Sequence, residues 1–157
     1  DRLRSAVQYT CPSLSLARAA REAGGAAYVY RFDRVREGFN AIGAYHGAEL
    51  PYVFDTHDPW MPTNAIDHQI TDELIDYWIA FVTTGSPNES RSGHTETDDS
   101  EMGGSEINIA EKGRAMWSAW SQRQQALVIS DEISTQTHPD AALCQFLNAA
   151  QVASARH

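Results

Sequence analysis

The chain is 157 residues long and has no apolar run near the roughly 20 residues that a bilayer-spanning helix needs. A membrane span is therefore excluded. Its two cysteines, Cys11 and Cys144, are too few for a disulfide-dense mini-domain and too far apart for a metal knuckle. They are either two inert thiols or one bridge between the two ends of the chain. HxxxH, HExxH and CxxC are all absent, which leaves no metal site to argue for. Basic residues are scarce: 12 Lys and Arg stand against 21 Asp and Glu, for a net charge of −9. Such a balance repels phosphate backbones and anionic lipid, so nucleic acid is not an expected partner. The first residue is Asp1, with neither Met nor a charged-then-apolar leader ahead of it. The expectation is a removed targeting peptide or a start inside a longer protein. What is present is ordinary for one globular domain, with 42% hydrophobic and 21% charged residues.

Good helix formers fill Ser13 to Ala23 and stop at Gly24 and Gly25. In Ala27–Phe32, AYVYRF, aromatic residues alternate with Val29 and Arg31, the period of a strand. Ile70, Leu74, Ile75, Trp78, Phe81 and Val82 form one apolar stripe at helical spacing. Asn64 with Asp67 reads as a capping pair, and Gly85 with Pro87 as a stop, which predicts a helix over 65–84. Residues 89–106 contain no Val, Ile, Leu, Phe, Trp or Tyr and are strongly acidic. Such a segment cannot bury enough to offset its ordering entropy, and it reads as a mobile acidic surface loop. Packed structure resumes at Trp117 and Trp120, followed by a short strand at Ala126–Ile129 and a helix at Ala141–Ala153.

Six histidines compete for a chemical role. His94 lies in the acidic loop, His157 is terminal, and His68 falls on the outer face of the predicted helix. His46 differs in its setting, the Gly-flanked string GAYHGAEL that follows a strand. An α/β enzyme can hold an imidazole on such a loop, at the carboxyl edge of its sheet. Gly43 and Gly47 permit backbone angles closed to other residues. Glu49 can brace the loop by hydrogen bonding to nearby backbone.

The string GAYHGAELPYVF at Gly43–Phe54 resembles the segment around the catalytic histidine of type-B carboxylesterases, the esterase, lipase and cholinesterase group of α/β-hydrolases. AYVYRFD at Ala27–Asp33 is similar to the strand leading to that histidine, and DYWIAFVTTGSPN at Asp76–Asn88 to the helix and turn after it. CPSLSLA at Cys11–Ala17 and LCQFLNAA at Leu143–Ala150 resemble the places where many secreted members carry a disulfide.

The resemblance implies that residues 1–157 are the C-terminal portion of an α/β-hydrolase fold, a partial sheet with packed helices. It implies that His46 is the general base of a Ser–His–acid triad, taking a serine proton and returning it to the leaving alkoxide. Glu49 and Gly47 then act behind the histidine, because the family's triad acid comes from an earlier loop. No GxSxG elbow occurs anywhere in the chain, and neither Ser13 nor Ser86 replaces it. Triad order in this fold is Ser, acid, His, so a C-terminal portion keeps the base and loses its partners. The expected partners are a small-molecule carboxylic ester and the N-terminal part of the same fold, with no cofactor. A Cys11–Cys144 bridge is implied, and with it a secreted or periplasmic protein. The rival expectation is a cholinesterase-like interaction domain without catalysis, or an inactive truncated fragment. GAYHGAEL argues against the interaction domain, which needs no imidazole there.

Overall fold

The computed structural model describes residues 2–89 and 113–154. The chain divides into two compact units: Asp1–Arg34 with Met116–His157, and Val35–Ala115. Apart from Glu89, the predicted acidic loop lies outside the described residues.

The first unit opens with helix α1 (Arg2–Ser5), a π turn (Ala6–Thr10) and helix α2 (Cys11–Glu22). Ser5, Thr10 and Cys11 all keep right-handed helical angles, so the three pieces form one helical run. Pro12 explains the widened turn. It has no N–H to give and its ring would strike the carbonyl four residues back, so the ladder opens ahead of it. Ser13 Oγ donates to the Tyr9 carbonyl at 2.9 Å, satisfying an acceptor in the widened turn. The sequence prediction started this helix at Ser13; the structure extends it upstream because the π turn absorbs the proline that would otherwise end it.

Strand β1 (Tyr30–Phe32) pairs in parallel with β2 (Gln125–Ile129), which pairs antiparallel with β3 (Ile133–Thr137), in the order β1-β2-β3. The predicted strand at 27–32 is shorter than expected, with Tyr28 in an isolated bridge to Ala119. β2 is the buried centre of the sheet, from Ala126 to Ile129. Trp117 packs edge-on to Tyr28 and Tyr30 and donates its indole N–H to the Val29 carbonyl at 2.9 Å. Helix α5 (Ala141–Ser154) closes the unit. The core gathers Ala6, Cys11, Leu14, Ala17, Trp120 and Cys144, and the two cysteines are bridged there with Cα atoms 5.1 Å apart. Thus the covalent link joins α2 to α5.

The second unit contains helix α3 (Leu50–Val53) and helix α4 (Ala65–Thr84). The predicted bounds of α4 are the observed ones. Asn64 accepts from the backbone N–H groups of Ile66 and Asp67, and the Asp67 carboxylate accepts from Asn64 N–H, a complete capping box. Gly85 ends the helix at φ 80°, and its N–H bonds the Phe81 carbonyl.

The buried face of α4 corrects the predicted stripe. Asp67, Ile70, Thr71, Leu74, Tyr77 and Ala80 are buried, while Val82 is 76% exposed. The core face includes polar residues because each has a partner, which removes most of the cost of burying it. Asp67 receives the Tyr52 hydroxyl, the Thr71 hydroxyl donates to the Asp67 carbonyl, and the Tyr77 hydroxyl donates to the Ala115 carbonyl. Burial pushes the Tyr77 phenol up to about 12, despite the Arg114 guanidinium 4.2 Å from its ring centroid. A pattern count that admits only apolar letters passes over such a face.

Candidate active site

The segment around His46 is built from tight backbone turns. Ile42 and Gly43 N–H both bond the Phe39 carbonyl, at 2.9 and 3.0 Å, and Ala48 N–H bonds Tyr45 O at 3.0 Å. Gly43 (φ 70°) and Gly47 (φ 86°) hold left-handed backbone, as their flanking positions led one to expect. At Gly47 the demand is conformational. An added Cβ would meet only Leu50 Cδ1 at 3.6 Å, ordinary contact. His46 stands exposed on this turn, between the two glycines.

Glu49 leads into helix α3 (Leu50–Val53). It is the N-cap of α3, and its side chain makes no capping hydrogen bond. Its backbone carbonyl instead accepts from Tyr52 N–H at 2.9 Å and Val53 N–H at 3.0 Å. The structure brings His46, Gly47 and Glu49 into one continuous turn feeding α3. Cys11 and Cys144 belong to the other unit.

Behind the turn lies a polar cluster that the sequence reading missed. Tyr52, 1% exposed, donates its hydroxyl to Asp67 Oδ1 at 2.6 Å. The buried Arg36 guanidinium sits 4.7 Å from the Tyr52 ring centroid. It donates to Pro62 O (3.2 Å), Thr63 Oγ1 (2.8 Å) and His57 Nδ1 (2.6 Å). His57 Nε2 lies 2.8 Å from Thr71 Oγ1, and the His57 ring meets Tyr52 edge-on at 5.1 Å. Burial and the adjacent Arg36 charge hold the His57 imidazole below its usual 6.5. One open groove of about 480 Å³ is lined by residues 57–63 and His68. No periodic signal marks these residues.

Among the described residues no group of three or more His, Cys, Asp or Glu is placed to hold a metal ion. No helix there is long and apolar enough to cross a membrane. The site therefore offers an exposed imidazole on a shaped turn, followed by a cluster of the buried Arg36, Tyr52 and Asp67 with the half-buried His57.

Comparison with known proteins identifies the lineage. Residues 1–147 match the carboxylesterase family. Secreted lipase 5 of Gibberella zeae is 29% identical over 86 residues, which cover 53% of this chain and 16% of that protein. The crystal structure of the Geobacillus stearothermophilus carboxylesterase EST55 at pH 6.8 matches with a TM-score of 0.60 and 23% identity, over 90% of this chain and 26% of that one. PNB esterase matches with a TM-score of 0.51 and 24% identity, over 76% of this chain and 21% of that one. These likenesses establish the fold, part of an α/β-hydrolase. The chain spans about a quarter of the solved chains it matches and less of the lipase. With the match extending over 1–147, the chain belongs to the carboxylesterase family.

Proposed function

We propose that this chain supplies the general base, His46, of a serine hydrolase acting on carboxylic esters. The observation that carries the reading is the exposed imidazole on a turn held by two left-handed glycines, in a chain of this family. In the reaction the His46 ring takes the proton of a serine hydroxyl as the oxygen attacks the ester carbonyl. It then gives that proton to the departing alkoxide, and the same cycle with water releases the acid. Gly47 sets the direction of the turn and Glu49 anchors it to α3 through backbone bonds. The nucleophile and the triad acid come from the N-terminal part of the same fold, so residues 1–157 alone do not form an acyl-enzyme.

The intramolecular Cys11–Cys144 bridge and the likeness to a secreted lipase support export from the reducing cytosol. A fluorophosphonate probe, which reacts only with an activated serine, tests the proposal on the protein that carries this chain. Labelling at a GxSxG serine upstream of Asp1, lost in a His46→Ala variant, is the expected result. Absence of labelling in a folded protein would refute it and favour the interaction-domain reading.

A further inference from the structure

We propose that His57 is an acid-sensitive latch on the segment that carries His46: its neutral ring holds the Arg36 guanidinium over Tyr52, and protonation releases that clamp. The hydrogen-bond pattern fixes where the protons are. The Thr71 hydroxyl donates to the Asp67 carbonyl at 2.8 Å, so toward His57 it can only accept. His57 therefore carries its proton on Nε2, and Nδ1 presents a lone pair to Arg36 Nη2 at 2.6 Å. A second proton has nowhere to go but Nδ1. There it would set N–H against N–H and one positive charge against another.

Among the described residues, the charged groups acting on the ring can be named. Arg36 and His68 oppose its protonation, Asp55 and Asp67 favour it, and burial opposes it most. His68 approaches edge-on, with ring centroids 5.7 Å apart. Asp67 is already engaged by the Tyr52 hydroxyl and by Asn64 N–H. The sign follows from this balance. The folded value lies below the ordinary 6.5, so the contribution of the latch is complete above 6.5. It is lost as the pH falls through 6.5 and on through the lowered folded value.

Release reaches the His46 turn through a short path. Arg36 and His57 both rest against the Tyr52 ring, and Tyr52 lies in α3, whose first N–H bonds Gly47 O at 3.1 Å. Arg36 also ties down the Pro62 carbonyl and Thr63, so the groove lined by 57–63 changes with it. The latch does not depend on His46 acting as a base, because its readout is structural.

The test is hydrogen exchange of residues 50–63 in the protein carrying this chain, from pH 7.5 to 4.5, expressed as protection factors to remove the intrinsic pH dependence. Protection is expected to fall as the pH is lowered, with a midpoint below 6.5. His57→Gln keeps an acceptor for Arg36 and cannot titrate, so its protection should stay level. Should that variant fail to fold, His68→Gln serves. Removing a neighbour that opposes protonation must move the midpoint up, and an unmoved midpoint would overturn the latch. Level protection in the unmodified protein, or an undiminished fall in His57→Gln, would also overturn it.

Discussion

Replacing Cys11 and Cys144 together by alanine removes a link that closes a loop with a sequence separation of 133. The entropy gained by the unfolded chain on release of such a loop is worth about 5 kcal/mol at 25 °C, and measured bridges usually give about 2–4. Both cysteines are buried, at 5% and 3% exposure, in an apolar core, so alanine leaves small voids and no orphaned polar group. A loss of about 2–5 kcal/mol is expected, a large share of the ~5–15 kcal/mol that a domain has in all. Urea unfolding followed by tryptophan fluorescence reads it, since Trp117 and Trp120 are buried in the same unit. With a slope near 2 kcal/mol per molar, the midpoint should drop by roughly 1–2.5 M. An unchanged midpoint would mean that the bridge does not limit the unfolded chain. Two reactive thiols in the untreated protein would remove the premise.

Two further substitutions probe the other unit. Tyr52→Phe deletes the hydroxyl that meets the buried Asp67 carboxylate, a bond to a charged acceptor, and should cost about 1.5–3 kcal/mol in a thermal melt. A neutral result would show that Asp67 finds another donor. Gly47→Ala forces a Cβ into left-handed backbone at φ 86° and should cost roughly 1–2 kcal/mol without any clash. An alanine variant as stable as the parent would show that the turn relaxes freely.

What the sequence made legible follows its periodic and local signals. α4 was readable to its ends because a cap, an amphipathic run and a glycine stop all lie within the same stretch of chain. The left-handed glycines beside His46 were readable because few other residues take that conformation. The buried face of α4 was not, since Asp67, Thr71 and Tyr77 become core residues only through partners elsewhere. Strand β3 escaped notice because Ile133–Thr137 is half-exposed and mostly polar, and pairing with β2 defines it. The Arg36–His57–Tyr52–Asp67 cluster depends on contacts between residues 15 or 21 apart, which no local pattern encodes. The family was read from a resemblance of whole motifs, beyond what spacing alone could carry, and the role proposed for His46 rests on the same resemblance.

The decisive measurement is steady-state hydrolysis of a short-chain 4-nitrophenyl ester by the protein carrying this chain, with and without His46→Ala. A general base contributes about 10²–10⁴-fold, and losing a triad member disables the whole unit. The expected result is a fall in kcat of at least about a thousandfold with KM little changed and the fold intact. A His46→Ala protein that retains activity within tenfold of its parent would contradict the assignment of His46 as the base.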